Sequence, residues 1–450
     1  MLSDVIGHYH DLLGRGTLAA DSHEQLDRET RLRDLYFGDR PVCTVLRPRF
    51  LTPDQFRYLQ RRVKLLLSAF NKVLRLALTD ATFRSQFGLS ELEETLIASD
   101  PGFDEPSPTA RLDSFFVSEQ ELKFTEHNAE TPAGASYQDV LSEMFFALPV
   151  MQEFLRRYQV RPLPARAGVL RAILRTYERW RGSRSEPPRI GIIDWGDVPT
   201  VSEFRLFDAY FRSHAIESRI LEPKDLVYSG GKLMADDYHV TLIYKRVLIS
   251  ELLEHGGLEH PMVRAVRDGA VCMVNGFRCK ILYKKASFAV LSDERNARLF
   301  SDSELGAIAE HIPWTRRVAE RQTTLDGKTI DLIPFVLANR DRFVLKPNDD
   351  YGGKGIVLGW DVDAATWERA VQTALRVPYV VQQRVNLPTE DFPSWHNGAV
   401  HIIPRTTDTN PYCVFGTDMD SCLTRISTEK LVNVTAGGGS TVPTFVVEER

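Results

Sequence analysis

Cysteine is scarce in this 450-residue sequence: there are five, Cys43, Cys272, Cys279, Cys413 and Cys422, and no two form a CxxC pair. An odd count without paired spacing argues against a disulfide framework or a structural zinc site. It leaves each thiol as a small buried apolar group in a reducing, cytoplasmic setting. Long apolar runs are also missing, and none approaches the length of about eighteen residues that a membrane-spanning helix needs. The opening MLSDVIGHYHDLLGRG mixes charge with apolar residues, which suits an amphipathic helix better than a secretory signal. There is no basic excess: 56 Lys and Arg face 61 Asp and Glu, for a net charge of −5. That balance excludes a dedicated nucleic-acid binder, which is usually basic over at least one domain. With 43% apolar and 26% charged residues, the chain reads as a soluble globular protein of two or three domains.

The pattern along the chain divides it into four parts. Residues 1–100 form a helical region, in which apolar residues from Leu51 recur at three- and four-residue spacing and Thr52, Pro53 and Gln55 mark a helix start. Arg61, Arg62, Lys64 and Lys72 make that helix's solvated face. Residues 101–185 open with a turn-rich loop. A hairpin follows, with Leu112, Phe115 and Val117 alternating along one arm and Leu122 and Phe124 on the other, and then helices over 137–160 and 166–181. Residues 186–335 alternate strands and helices, beginning at the apolar run IGIIDW, and read as a small doubly wound α/β domain. The turn after that run is GDVPT, without the GxGxxG of a dinucleotide site. Residues 336–450 return to strands, with DRFVLKP and GIVLGW as hairpin partners around a glycine-rich turn.

Four segments carry chemistry. In RLDSFFVSEQELKFTEHNAETPAG, Arg111 and Asp113 share a face by the two-residue period of a strand, as do Glu126 and Asn128. A hairpin that joined those faces would gather two carboxylates and an amide oxygen, hard donors suited to Mg²⁺ or Mn²⁺ beside phosphates. In RFVLKPNDDYGGKGIVLG, Lys346 ends a strand and Gly352, Gly353, Lys354 and Gly355 form a turn. Glycines let backbone N–H groups approach phosphates, and lysines neutralise them. The GxxxxGK[ST] of a P-loop is absent. In PYVVQQRV, the strand end at Gln382, Gln383 and Val385 suits a hinge whose backbone would read an adenine edge. In LTRISTEKLVNVTAGGGST, Arg425 suits a transferred phosphoryl group, and Asn433 precedes a glycine run.

Together these segments resemble the ATP-grasp superfamily, in which R-x-D is followed at about a dozen residues by E-x-N and then by P-x-G. Here Arg111-Leu-Asp113 is followed, thirteen residues beyond the aspartate, by Glu126-His-Asn128, then Pro132 and Gly134. The stretch between Asn128 and Gly134 is longer than in the family. The lysine strand and hinge follow this segment instead of preceding it. That order is similar to the circularly permuted ATP-grasp group, which includes glutathionylspermidine synthetase. The resemblance covers roughly residues 105–450 and implies an α/β, circularly permuted ATP-grasp fold with an inserted pre-ATP-grasp-like domain. It implies ATP with Mg²⁺, the metal on Asp113, Glu126 and Asn128. It also implies charge stabilisation by Arg111 and Arg425, and nucleotide contacts from Lys346, the 352–355 turn and the hinge. A second nucleotide lysine is expected at Lys285 or Lys284, which the sequence does not separate.

The activity so implied is ligation of a small-molecule carboxylate to an amine through an acylphosphate. Two other readings are a nucleotide-binding sensor or scaffold and a phosphotransferase. His127, between two proposed ligands, reads as structural. Lys245 and Arg246 end a strand of the α/β domain and are candidates for an acidic substrate, with Trp195, Asp197 and Glu203 as further crevice residues. Neither nucleic acid nor membrane is an expected partner. A homodimer is an expectation from the wider superfamily alone.

Overall fold

The computed structural model describes residues 2–182, 186–429 and 439–450. The helix expected at Thr52 runs from Pro53 to Thr79. The Thr52 hydroxyl accepts from the Gln55 N–H, and the Gln55 side chain accepts from the Thr52 N–H, so two otherwise orphaned donors are satisfied. Its apolar face, including Leu59, Val63, Leu66 and Phe70, packs against Leu112, Leu122 and Phe124 of the hairpin. Arg61, Lys64 and Lys72 are exposed, and half-buried Arg62 lies over Tyr58. Ahead of this helix, Leu2–Leu13 and Leu18–Leu32 are helical, but short strands at Tyr36–Phe37, Arg40–Pro41 and Arg49–Leu51 interrupt the helical region.

The hairpin is Thr109–Ser118 against Glu121–Asn128, antiparallel, with Arg111 opposite Asn128 and Asp113 opposite Glu126. Phe116, and not Phe115, joins Leu112 in the core, while Phe115 lines a cavity and Val117 is exposed. A shift of register between Asp113 and Ser114 accompanies the difference, since a bulge re-aims the side chains around it. Beyond the hairpin, helices run over Ala135–Ala147, Pro149–Phe154 and Arg166–Arg181, and Tyr158–Pro162 is a strand where helix was expected.

The hairpin is one part of a nine-stranded sheet, whose other members include Thr389–His396, Ala399–Thr407, Asn410–Val414, Asp418–Ser427 and Gly439–Glu449. The last strand also pairs with Arg49–Leu51 and Tyr158–Pro162, so the chain's two ends meet in one sheet. A second, antiparallel sheet orders Thr315–Arg317, Tyr379–Gln383, Phe343–Pro347 and Val357–Leu358. Residues from 389 onward thus join the hairpin's sheet, and Thr315–Arg317 pairs with the hinge strand Tyr379–Gln383, across the expected domain limits. Long-range pairing of this kind leaves no trace in local periodicity.

The α/β segment holds four parallel strands in the order Cys272–Val274, Leu242–Lys245, Ile190–Ile193, Ser218–Leu221. Helix Val201–Ser213 connects the third and fourth strands of that order. The expected strand HVTLIYKR is divided: Tyr238–Val240 belongs to a small antiparallel sheet and Leu242–Lys245 to the parallel one. All five cysteines are buried and free. Among the described residues no helix is long and apolar enough to cross a membrane.

Candidate functional site

A cavity of about 910 Å³ opens where the hairpin, the glycine-rich turn, the hinge strand and the strand ends of the α/β segment face one another. Arg111, Asp113, Glu126, Asn128, Lys346, Gly352, Gly353, Lys354, Gln382, Gln383, Val385 and Arg425 line it. Residues 314 positions apart in the chain, Arg111 and Arg425, are brought together by the nine-stranded sheet; Asn433 and Gly437 lie outside the described residues.

Arg111 donates from Nε to Asp113 Oδ1 at 2.7 Å and from Nη2 to Oδ2 at 3.1 Å. Arg425 Nη2 donates to the same Oδ2 at 2.7 Å. Burial pushes the Asp113 carboxyl up, but the two guanidinium groups outweigh it and hold it at about 2. The carboxylate is therefore ionised throughout the physiological range. Asp408, for which the sequence offered no signal beyond one acidic residue in a polar turn, fixes Arg425 from behind. It accepts from the Arg425 N–H and Nε, both at 2.7 Å. Burial raises Asp408 to about 6 against the pull of Arg425.

Glu126 is half-buried, and its Oε1 lies 3.0 Å from Lys285 Nζ. Lys285 also donates to the Asp350 carbonyl at 2.5 Å, joining the hairpin to the base of the glycine-rich turn. Lys284 points elsewhere, to Glu93 Oε1 and Asp349 Oδ2, both at 2.7 Å. The two lysines thus differ in surroundings: neither lines the cavity, but Lys285 meets Glu126, which does. Asn128, opposite Arg111, lines the cavity, and its buried Nδ2 has no protein partner. Among the described residues no three His, Cys, Asp or Glu side chains gather as a metal cage. Two carboxylates and an amide on one sheet face suit Mg²⁺, which keeps water and substrate phosphate in its shell and is seldom enclosed by protein alone.

Lys346 ends its strand with Nζ donating to Gln382 Oε1 at 2.7 Å and to the Thr125 carbonyl at 3.3 Å. Burial, with Lys285 nearby, lowers it to about 8 despite the opposing charge of Glu126. Gln382 is held in turn by Thr315 Oγ1, which accepts from its Nε2 at 3.1 Å, so its side chain orients the lysine. The N–H groups of Gln383 and Arg384 donate to the Trp314 and Arg342 carbonyls, each at 2.8 Å. Among the described residues the Val385 N–H has no such partner, and Val385 lines the cavity. Gly352, Gly353 and Gly355 have φ of 68°, 77° and 67°, values that side-chain-bearing residues rarely adopt. Gly355 does not line the cavity. A Cβ there would meet the Pro347 ring at 2.7 Å.

Around this cavity several residues turn out to be structural. His127 is buried against Phe70, with ring centroids 4.6 Å apart, and burial lowers it to about 3. Gly134 has φ 95° and precedes helix Ala135–Ala147, where a Cβ would meet Leu423 at 2.9 Å. Buried Glu203 accepts from the N–H groups of Gly134 and Ser136 at 2.7 and 3.2 Å. Lys245 is sealed against Glu130 at 3.0 Å, and Arg246 Nη2 lies 3.6 Å from Glu203. Lys245 lies off the cavity, whereas Arg246 lines it while donating to the Pro132 carbonyl at 2.7 Å. Asp197 is exposed, and Trp195 lies against His255.

Glu130 and Lys280 were not singled out by sequence. Glu130 joins Lys245 and Lys280, Lys280 reaches Asp349 Oδ1 at 2.7 Å, and Lys284 links Asp349 to Glu93. Three lysines and three carboxylates therefore interlock behind the turn. The only hint in the sequence was an acidic residue two places beyond Asn128.

Known proteins resemble this chain in sequence and in fold. The chain is 26% identical over 254 residues to a Frankia alni protein provisionally named glutamate–cysteine ligase 2-3. It is 31% identical over 253 residues to a Frankia casuarinae protein provisionally named glutamate–cysteine ligase 2-2. Each match covers 52% of this chain but 27% of the relative, so the matched region spans about a quarter of those longer proteins. The apo structure of a glutathione synthetase-like effector from Globodera pallida is similar in fold, with a TM-score of 0.58 at 12% identity over 95% of this chain and 96% of that one. The profile of circularly permuted ATP-grasp type 2 proteins matches residues 113–427, from the hairpin aspartate to the end of the strand that carries Arg425. The chain belongs to the circularly permuted ATP-grasp type 2 family.

Proposed function

We propose that this chain is an ATP-dependent carboxylate–amine ligase that works through an acylphosphate. The observation that carries the reading is the convergence on one cavity of the Asp113 cluster, Glu126 with Lys285, and Lys346 with the glycine-rich turn. Asp113, Glu126 and Asn128 would hold Mg²⁺, which when bound neutralises and orients the nucleotide's phosphates. Lys346 and Lys285 bind the polyphosphate as point charges, and the turn's backbone N–H groups approach it where side chains are missing. The Val385 N–H reads the adenine edge.

The substrate carboxylate attacks the γ-phosphorus, a new P–O bond forms, the bond to the β-phosphate oxygen breaks, and ADP leaves. The amine nitrogen then attacks the acyl carbon, the C–O bond breaks, phosphate leaves and a proton passes to solvent. Arg111 and Arg425 face the charge that builds up in both steps. Their orientation is set in advance by Asp113 and Asp408, so little reorganisation is needed at the moment of reaction. The chain supplies position and charge, not a covalent nucleophile. The names of the Frankia relatives point in the same direction, towards an amino-acid substrate and C–N bond formation.

Titration calorimetry with a non-hydrolysable ATP analogue, with and without Mg²⁺, tests the reading on wild type and Lys346→Ala. Mg²⁺-dependent binding weakened by the substitution is the expected result, followed by ADP release when acids and amines are screened in pairs. A folded wild type that binds no analogue in either condition would overturn it. A stable phosphorylated product formed without amine would replace the ligase with a phosphotransferase.

A further inference from the structure

The parallel sheet has a topological switch point. From Ile190–Ile193 the chain crosses through helix Val201–Ser213 to Ser218–Leu221 on one side, while Leu242–Lys245 flanks the same strand on the other and leads on to Cys272–Val274. Open α/β sheets bind ligands in the crevice beyond the carboxyl ends of two strands that diverge in this way. Ile193 pairs with Lys245, so Asp194 and Arg246 are the first residues beyond the two strands. Glu251 follows in the first turn of helix Ile249–Gly256. Asp194, Arg246 and Glu251 all line the 910 Å³ cavity.

We propose that Asp194 and Glu251 bind the protonated amino group of a substrate, so that one of the two ligated molecules carries a primary ammonium group in this crevice. The proposal deepens the ligase reading and rests on it for placing a substrate in the cavity. Its basis is an imbalance of charge. Both cations at the strand ends are engaged elsewhere: Lys245 by Glu130, and Arg246 by the Pro132 carbonyl at 2.7 Å and by Glu203. Arg246 is only 5% exposed; it bears on Asp194 as a distant charge, with no nitrogen within 4.0 Å of that carboxylate. Among the described residues neither Asp194 nor Glu251 has a Lys, Arg or His nitrogen within 4.0 Å. The nearby loop lysine, Lys354, holds its Nζ 4.9 Å from the Tyr351 ring centroid.

The two carboxylates keep acceptor capacity to spare. Asp194, 8% exposed, accepts the Trp195 N–H at 2.9 Å. Glu251 accepts the Leu248 N–H at 3.2 Å and the Tyr351 hydroxyl at 3.4 Å. Burial raises the Asp194 carboxyl to about 6, and Glu251 adds to that, against Trp195 N–H and Arg246. A desolvated carboxylate beside a second one is stabilised by an arriving cation, and an ammonium brings three donors without acceptors. A neutral or anionic group in the same place would leave both charges uncompensated. The Tyr351 contact joins this crevice to the glycine-rich turn, so the amino group and the nucleotide would meet on either side of one loop.

The test is titration calorimetry of the full chain with glycylglycine, 1,4-diaminobutane and spermidine, each against its N-acetylated form, with and without the MgATP analogue. At least one amine is expected to bind saturably, its acetylated form to fail, and both Asp194→Asn and Glu251→Gln to weaken the amine by about tenfold or more. Asp194→Asn is near-isosteric and should keep the analogue's affinity. Should it melt early, Glu251→Gln, which retains the cap on Leu248, carries the test. Equal binding by both variants, equal binding of acetylated probes, or no amine binding in either condition would overturn the proposal. Loss of analogue binding with amine binding intact would sink the ligase reading and leave the ammonium site standing.

Discussion

Two buried charge clusters lie within reach of the same cavity and differ in what they leave open. Around Asp113, arginines and aspartates form a chain, Arg111–Asp113–Arg425–Asp408, all four of which line the cavity. Behind the glycine-rich turn, Lys245, Lys280 and Lys284 interlock with Glu130, Glu93 and Asp349, and none of these six lines the cavity. The first cluster uses guanidinium groups, which can clamp one carboxylate with two nitrogens and still present others to a ligand. The second uses ammonium groups, each satisfied within the protein. Charge density therefore does not by itself mark a functional site; what matters is whether donors remain pointed at open space.

This contrast can be broken experimentally, and the largest effect is expected at the open cluster. Glu126→Gln should lower turnover roughly 10³-fold, as loss of a charge-stabilising group does, with the melting temperature nearly unchanged because Glu126 is half-buried. Steady-state ADP release and a thermal melt check both halves, and near-normal turnover would refute the metal assignment.

At the closed cluster the pattern should reverse. Glu130→Gln leaves Lys245 and Lys280 short of a counter-ion in a buried setting, and breaking such a pair costs about 3–5 kcal/mol. Denaturant unfolding would measure it. If stability held and only nucleotide affinity fell, the six-residue lattice would be part of the binding site.

Lys346 stands between the two, half-buried and facing the cavity. Its ammonium is lowered to about 8 by burial, with Lys285 contributing. Affinity for the ATP analogue should therefore decline as pH rises above about 8, because the lysine must regain its proton to bind, whereas an ordinary lysine would stay charged for two further units. Calorimetric titrations at pH 7 and 9 would show it, and Lys346→Ala should abolish the difference.

The smallest effect is expected far from both clusters. Glu304 clips helix Asp302–His311 to the long helix, accepting from Lys72 Nζ at 2.5 Å and Ser68 Oγ at 2.7 Å. Burial raises this carboxyl, but Lys72, the Ser301 N–H and Ser68 outweigh it and bring it to about 2. A lowered carboxylate stabilises the fold above its unfolded value and loses that contribution as pH falls. The acid limb of the stability curve between about 4.5 and 2 should flatten in Glu304→Gln.

The sequence by itself determined the local pieces of this protein. The strand period put Arg111 with Asp113 and Glu126 with Asn128, the capping residues at Thr52 and Gln55 set the long helix, and the glycines of 352–355 marked a turn. Each of these depends on neighbours a few residues away, which a linear reading captures. Only the tertiary structure decided the rest. Lys284 and Lys285 are adjacent and chemically identical, and only the carboxylates around them tell one from the other. Asp408 gained its role from a cross-sheet meeting with Arg425, and Phe115 and Phe116 exchanged faces at a bulge. The engagement of Lys245 by Glu130 and the nearness of Arg246 to Glu203, with no cationic nitrogen left within 4.0 Å of Asp194, follow from Glu130 and Glu203 arriving from other segments. Long-range pairing and burial set these outcomes, because the energy of a buried charge depends on which partner lies within a few ångströms in space, at any distance along the chain.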